Sequence, residues 1–202
     1  MCTKHGTIKK TDLMAYSNPR AGGIIALKID QGDELIAADI TNGDNGIFIG
    51  TSEGKTIHFD EKEARPMGRT AMGVRGISLA KGDYVVGMEV LVSGSSILTV
   101  AENGYGKRTS TEEYRQQGRG GVGILTMKVT DKTGKVISVK QVGDQEDIML
   151  ITNGGKILRM NVKGVSIIGR NTQGVRLIKI GEGEKVVAVA QLAESDDERP
   201  LE

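Results

Sequence analysis

Residues 53–59 read Glu53-Gly54-Lys55-Thr56-Ile57-His58-Phe59, a tight glycine turn followed by a short run of strand-forming residues. Glycine turns of this kind join paired antiparallel strands. The turn recurs about every 50 residues, at His5-Gly6, Glu53-Gly54, Asn103-Gly104 and Gly154-Gly155. A period of this length is typical of propellers and solenoids, so we take the repeat as the organising feature of the whole chain.

Two further series follow each turn. An arginine returns at Arg20, Arg69, Arg119 and Arg170. A glycine then returns at Gly23, Gly73, Gly123 and Gly174. Each glycine leads an aliphatic stretch, and a later polar turn leads another, so each repeat holds about four short strands. Because no segment keeps a helical period of 3.6, we predict an all-β, propeller-like fold of about four repeats of roughly 50 residues, each of four antiparallel strands.

The repeat units are predicted at about 1–46, 47–96, 97–147 and 148–193, forming one domain over 1–193. Residues 194–202 form an acidic tail, which we expect to be mobile. That tail holds five acidic residues and one basic residue, so the rest of the chain carries 26 basic and 21 acidic residues. The formal net charge of +1 therefore masks a mildly basic body.

Cysteine and histidine are too scarce for a disulfide or a zinc site, since the chain has Cys2, His5 and His58 alone. No apolar run approaches the length of a membrane span. We expect a cytoplasmic protein with no metal site, no cofactor, no membrane partner and no small-molecule substrate. Scarce aromatic residues also argue against recognition of RNA or single strands, which needs stacking platforms.

Several phrases resemble the C-terminal DNA-wrapping domain of the DNA gyrase A subunit. They are residues 103–109, residues 67–70 with 73–77, and residues 168–175. The resemblance covers residues 1 to 193 and implies a β-pinwheel, a propeller-like ring whose blades exchange a strand. It further implies binding, bending and wrapping of double-stranded DNA, which supports negative supercoiling in a bacterial, nucleoid-associated type IIA topoisomerase. The implied protein partners are the gyrase B subunit, together with the remainder of the gyrase A subunit.

Two departures from the family pattern reduce what this chain alone is expected to do. The family domain usually has six blades, whereas this sequence supplies about four. The family signature Gln-Arg-Arg-Gly-Gly-Lys-Gly is absent, and its nearest counterpart, residues 117–123, has one basic residue. We expect weaker wrapping than by the intact domain.

No chemistry is assigned to this chain. The family's catalytic tyrosine lies in another part of the gyrase polypeptide, where an arginine precedes it. The four tyrosines here are preceded by Ala15, Asp83, Gly104 and Glu113. We therefore predict that the chain is not an enzyme, and that the ATP-dependent topoisomerase activity belongs to the parent assembly.

One basic series is visible without any resemblance. Lys9, His58, Arg108 and Arg159 lie 49, 50 and 51 residues apart, beside apolar positions. Because neighbouring strand residues point to opposite faces, we expect the series to leave the core together and to contact phosphates around a rim. The alternative is a solvated strand face. Lys107 takes the place that Ile57 has in the second repeat, and it joins the candidates.

Loop arginines are further candidates. Arg65 and Arg115 lie 50 residues apart in the same long loop and are predicted DNA contacts. Arg119 is also a candidate, but it belongs to the arginine series of the loops, whose guanidinium groups could equally bind turn carbonyls. For that series as a whole we favour the structural role.

Two other functions remain open. The corresponding domain of topoisomerase IV shares the repeat, has fewer blades and wraps less. A propeller can also serve as a protein-interaction scaffold, for which the near-neutral net charge would be the better guide.

Overall fold

Each repeat is built on a hairpin whose turn needs glycine. In the computed structural model, which describes residues 1–192, the four turn glycines have φ between 73° and 82°. That region of backbone space disfavours a side chain, so glycine fixes the turn positions. The acidic tail predicted at 194–202 lies outside the described residues.

Fifteen strands are described between residues 1 and 192. In the first half of the chain they are β1 (Cys2–Thr3), β2 (Thr7–Ile8), β3 (Leu35–Ala37), β4 (Gly46–Thr51), β5 (Lys55–Asp60), β6 (Val74–Arg75), β7 (Val85–Leu91) and β8 (Ser96–Ala101). In the second half they are β9 (Tyr105–Ser110), β10 (Ile124–Leu125), β11 (Val136–Val142), β12 (Asp147–Thr152), β13 (Ile157–Asn161), β14 (Val175–Arg176) and β15 (Val186–Leu192).

A short 3-10 turn follows the second hairpin strand of every repeat. The four turns span Leu13–Tyr16, Glu61–Glu63, Thr111–Glu113 and Val162–Gly164. A polar residue caps each turn by accepting a hydrogen bond from the backbone N–H two residues later; the caps are Asp12, Asp60, Ser110 and Asn161. Short polar side chains favour such local bonds, which end the strand at the same point in each repeat.

The sheets exchange strands between repeats. Their strand orders are β3-β1-β2-β6, β10-β5-β4-β7, β11-β8-β9-β14 and β13-β12-β15. In each of the first three sheets, one edge strand comes from the following repeat; these donor strands are β6, β10 and β14. All the strand pairs are antiparallel. The predicted all-β fold of repeated four-stranded units is confirmed, and the fourth sheet has three strands among the described residues.

The opposite edges of the sheets face one another. Strand β7 packs against β3 and β11, and β11 packs in turn against β15. These four strands therefore lie on the axial side of the array, while the donor strands lie on its outer side.

Aliphatic side chains fill the core in three clusters that cross repeat boundaries. Leu98 of the third repeat packs in the same cluster as Ile148 of the fourth. Phe48 of the second repeat meets Tyr114 of the third, with ring centroids 4.9 Å apart in an edge-to-face arrangement. Each repeat thus completes its core with side chains of its neighbour. No helix within residues 1–192 has the length and apolar character to cross a membrane.

Candidate nucleic-acid interface

Lys107 is fully buried, which corrects its prediction as a DNA contact. Its ammonium group donates to the carbonyl oxygens of Gly169 at 2.6 Å and Arg170 at 2.8 Å, both in the following repeat. Burial lowers the pKa of Lys107 to about 8, because removal from water disfavours the charged form. The side chain joins two repeats and is closed to a phosphate.

Lys9 occupies the same place in the first repeat. It is buried, and its ammonium group donates to the carbonyl oxygens of Ala26, at 2.8 Å, and of Arg69 in the second repeat. Burial lowers the pKa of Lys9, and the nearby Arg69 guanidinium adds to the effect. The prediction that Lys9 projects from the array is therefore wrong.

The basic series was also one residue out of register in the first repeat. Lys10, rather than Lys9, matches His58 and Arg108. The Lys10 carbonyl accepts from the Met67 N–H at 2.8 Å, as the Arg108 carbonyl accepts from the Ile168 N–H at 2.9 Å. Counting four residues from each turn glycine gives the correct position, so the sequence did contain this signal.

Arg108 is a third buried cation between repeats. Its side chain is 4% exposed, its Nε donates to the Val165 carbonyl at 2.9 Å, and its guanidinium pairs with Asp144. His58 makes the equivalent contact, with Nδ1 lying 2.9 Å from the Tyr114 carbonyl. The expectation that the series leaves the core together is wrong because these side chains satisfy carbonyls at the end of the next repeat's 3-10 turn.

Arg159 differs from its counterparts. It lies on β13, its side chain is 68% exposed, and its Nε donates to Asp147 at 2.8 Å. Of the predicted basic series, it alone has an exposed side chain.

Guanidinium groups of the loop arginines bind backbone carbonyls of the preceding repeat. Arg69 donates to Ile25 at 2.9 Å, and Arg170 donates to Leu125 at 3.0 Å. Arg119 does the same at Arg75 and also donates to the Glu63 carbonyl at 3.1 Å. The structural alternative is thus observed for these three arginines, which leaves Arg119 poorly placed to contact DNA.

Exposed cations remain on the outer side of the array. Arg65 and Arg115 follow the 3-10 turns after β5 and β9, and both side chains are free of ion pairs within residues 1–192. Lys128 and Lys179 follow donor strands β10 and β14 at the same spacing, and they are likewise exposed and unpaired within that range. We call these four residues the rim set.

Sequence reasoning missed the two lysines of the rim set. With Lys28 they form a series five residues after the repeated glycines, which Ser78 interrupts in the second repeat. That spacing is the signal that would have found them. Their exposure follows from the donor strands, which end before these positions and place them beyond the sheet.

The family model described as "DNA gyrase C-terminal domain, beta-propeller" matches residues 1–42, 47–91, 95–142 and 146–193. The chain belongs to this DNA gyrase C-terminal domain family. It is 45% identical over its full 202 residues to the DNA gyrase A subunit of Salmonella typhimurium, of which it covers 23%. The chain therefore spans under a quarter of the length of that relative, and the predicted resemblance is confirmed.

Two solved structures share the fold. "Structure of DNA gyrase A C-terminal domain" matches with a TM-score of 0.84 and 25% identity, over 95% of this chain and 64% of that one. "Crystal structure of the C-terminal domain of DNA topoisomerase IV" matches with a TM-score of 0.89 and 25% identity, over 95% and 60%. Domains of both kinds of topoisomerase are thus similar in fold to this chain.

Proposed function

We propose that this gyrase-family domain binds duplex DNA along its outer side, bends it and wraps it, in support of negative supercoiling by a bacterial type IIA topoisomerase. The observation that carries the proposal is the rim set. Four exposed cations, which have no ion pair within residues 1–192, recur on the outer side of a chain whose family is that of the gyrase C-terminal domain. The proposed protein partners are the gyrase B subunit, together with the remainder of the gyrase A subunit, in the cytoplasm at the nucleoid.

The rim set favours phosphate contacts over base reading. Arg65 and Arg115 project from loops rather than from a helix that could enter the major groove. Lysine and arginine that neutralise phosphates release counterions, so binding is independent of sequence and falls as salt rises. Contacts repeated around a curved edge favour DNA that bends easily.

The proposal assigns no catalytic step to this chain. Within residues 1–192 no group of three or more His, Cys, Asp or Glu side chains could hold a metal ion. The four domain tyrosines also lack the family's preceding arginine. Strand cleavage and ATP hydrolysis are proposed for the other parts of the assembly.

A charge-matched pair of variants tests DNA binding. The rim variant carries Arg65→Gln and Arg115→Gln, and the control carries Lys140→Gln and Lys185→Gln. Both control lysines are ion-paired, and they lie on β11 and immediately before β15, on the axial side. Each lost phosphate contact lowers the slope of log affinity against log salt by about 0.9, so the rim variant should lose up to about 1.8.

Fluorescence anisotropy with a labelled duplex, titrated at several salt concentrations, measures both slopes. The control should keep the parent slope. Equal salt slopes for the rim variant and the control would mean that the rim set does not contact DNA. Adding Lys128→Gln and Lys179→Gln to the rim variant should deepen the loss without dependence on duplex sequence.

Bending and wrapping need a separate measurement. A nicked plasmid is sealed by ligase with and without the chain, and the topoisomers are then resolved on a gel. Wrapping of one hand should shift the distribution of linking numbers in one direction, and the rim variant should reduce that shift. If the distribution of linking numbers does not change at saturating protein, the chain binds DNA but does not wrap it.

Topoisomerase IV provides a second candidate parent. The TM-score of 0.89 to its C-terminal domain favours it, whereas the identity to the gyrase A subunit over the full chain favours gyrase. Grafting this chain onto a gyrase A subunit that lacks its own C-terminal domain distinguishes the two. Restored supercoiling in the presence of the gyrase B subunit supports gyrase, and decatenation without supercoiling supports topoisomerase IV.

A further inference from the structure

Each donor strand joins two repeats, and each of these joints has a pair of residues that face one another across the two strands. The pairs are Thr7 with Arg75 in the first joint, Lys55 with Leu125 in the second, and Tyr105 with Arg176 in the third. Residues paired across antiparallel strands place their side chains on the same face of the sheet. Arg75, Lys55 and Arg176 are exposed, so each joint presents one cation on the outer side of the array.

The third joint gathers a second cation around Tyr105. The Arg176 guanidinium lies 5.5 Å from the centre of the Tyr105 ring, and its Nη2 donates to the Tyr105 hydroxyl at 3.0 Å. The Lys132 ammonium group, which belongs to the preceding repeat, lies 5.1 Å from the centre of the same ring. An aromatic ring attracts a cation over its face, so Tyr105 holds the two charges close together.

The turn that carries Lys132 is held by the neighbouring hairpin turn. The side-chain amide of Asn103 donates to the carbonyls of Asp131 at 3.0 Å and Lys132 at 3.3 Å, and the Asn103 backbone N–H donates to the Thr133 carbonyl at 2.9 Å. These bonds fix the backbone at Lys132 and leave its ammonium group out of the network.

A third cation reaches this joint, as the first joint shows. There, the Lys28 N–H donates to the Ala71 carbonyl at 3.4 Å, and the side chains of Lys28 and Arg75 line one small cavity. Lys128 has the same place in the third joint, since its N–H donates to the Thr172 carbonyl at 2.8 Å. Ala71 and Thr172 each precede the arginine of their joint by four residues. Lys128 therefore lies beside the arginine of the third joint.

The first and third joints differ in their acidic residues. Asp30 and Asp33 line the cavity of the first joint and offset its lysine and arginine. The third repeat has Thr130 and Gly134 at these two places. Asp131 is the acidic residue of that turn, and it is exposed and forms no ion pair with any described residue. The three cations of the third joint likewise have no ion-pair partner among residues 1–192.

Tyr84 is a matched case in which the charges are neutralised. Lys4 and Lys135 lie 5.5 Å and 5.9 Å from the centre of its ring, much as the cations of the third joint surround their tyrosine. Lys4 pairs with Glu34, and Lys135 pairs with Glu53 at 2.9 Å. The third joint lacks such carboxylates in the part of the chain that the structure describes, which leaves its cations available to an external anion.

We propose that Lys128, Lys132 and Arg176, which we call the joint cluster, bind phosphates of duplex DNA across the third joint, and that this binding holds the third and fourth repeats together. The inference rests on the proposed function and adds a principal contact site and a consequence for the fold. Arginine and lysine recognise phosphate oxygens through charge-assisted hydrogen bonds. The two lysines belong to the third repeat and the arginine to the fourth, so phosphates bound here contact both repeats. A ligand that binds only the closed joint stabilises it.

Two charge-matched double variants test the joint cluster. The joint variant carries Lys132→Gln and Arg176→Gln, and the first-joint variant carries Lys28→Gln and Arg75→Gln. None of these residues belongs to the rim set, and circular dichroism verifies that both variants retain their strand content. In the salt titration with a labelled duplex, the joint variant should lose up to about 1.8 in the slope of log affinity against log salt. The first-joint variant should lose less than half as much, because two aspartates offset its cations.

The rim variant separates failure of this inference from failure of the proposed function. If the joint variant keeps the parent slope while the rim variant loses slope, DNA binds the outer side without the joint cluster, and the inference is overturned. A first-joint variant that loses as much slope as the joint variant also overturns it. A parent chain that does not bind the duplex overturns both the inference and the proposed function.

Hydrogen exchange resolved by peptide tests whether DNA holds the third joint closed. In the parent, saturating duplex should slow exchange several-fold in β9 and β14, and it should slow exchange less in β2 and β6 of the first joint. The joint variant at saturating duplex should show no such difference between the joints. Equal slowing at the first and third joints of the parent would overturn the proposal that DNA binding closes the third joint.

Discussion

Strands β9 and β13 occupy equivalent places in neighbouring repeats, yet their surroundings differ. Five of the six β9 residues are buried, whereas β13 alternates between exposed and half-buried positions. The next repeat covers β9 with β14 and with the loop around Ser166, and β13 has no such cover within residues 1–192.

In this fold, burial of a side chain depends on the contact between neighbouring repeats rather than on the residue type. Arg108 and Arg159 are the same amino acid at the same repeat position. One is 4% exposed and binds a carbonyl, and the other is 68% exposed and pairs with a carboxylate. A cation becomes structural when the following repeat presents carbonyls to it.

The largest effect is expected for Lys107→Ala. The substitution removes the lysine donor from the Gly169 and Arg170 carbonyls, which keep their bonds from Thr172, and it opens a cavity beneath β9. Truncation of a long, fully buried side chain to alanine costs about 2 to 5 kcal/mol, so we expect a loss of about 3 kcal/mol in the free energy of unfolding. Urea denaturation followed by circular dichroism measures it. Lys163→Ala, at an exposed lysine with no ion pair among the described residues, is the control and should stay within about 0.5 kcal/mol of the parent.

Arg108→Ala should cost less, about 2 kcal/mol, because part of its guanidinium pairs with the exposed Asp144. The change removes the bond to Val165, so the third and fourth repeats should separate more readily. Hydrogen exchange resolved by peptide should show faster exchange in β9 and β14 than in β5 and β10. Equal hydrogen-exchange rates in the β9–β14 pair and in the β5–β10 pair would contradict a local role for Arg108.

The pH dependence of stability tests the burial of Lys107. Its pKa is about 8 in the folded chain and near 10.5 when exposed, so between these values the unfolded chain binds more protons. Stability therefore rises with pH across this window, relative to a variant that cannot titrate there. Lys107→Met is that reference. Between pH 7 and pH 10.5 the unfolding free energy of the parent should rise relative to that of the reference. A difference that does not change with pH would mean that the Lys107 ammonium group is exposed to solvent.

The smallest effect is expected for Arg159→Ala. Its partner Asp147 is on the same sheet, the pair is largely exposed, and such pairs contribute about 0 to 1 kcal/mol. At micromolar protein or below, the melting temperature should match that of the parent closely. A loss equal to that of Arg108→Ala would mean that β13 is covered in solution.

Most of the fold was accessible from the sequence because the turn glycines and aliphatic stretches repeat. Strand exchange was expected from the family resemblance alone. The residue types of the donor strands, such as Val74 and Ile124, do not indicate which sheet edge each strand pairs with. Within residues 1–192 the fourth sheet has three strands.

The candidate site was predicted less well, for a physical reason. Alternation along a strand separates two faces, but it cannot tell solvent from a neighbouring repeat. Lys107 and Arg108 are neighbours on β9 and lie on opposite faces, yet both donate to carbonyls of the next repeat, as Lys9 does. Arg65 and Arg115 were placed correctly on the surface because they belong to loops beyond the strand ends, and their contact with DNA stays a prediction.

Strand exchange also sets the order in which a ribosome-bound chain can fold. The sheet edge at Ile8 is closed by pairing with Val74, which is synthesised 66 residues later. Each of the first three hairpins therefore remains open at one edge until most of the next repeat has emerged. Closing such long loops slows folding and leaves strand edges exposed meanwhile. Translation that stalls inside a repeat would release a nascent chain with an unprotected edge, a substrate for chaperones or for pairing with a neighbouring ribosome's product.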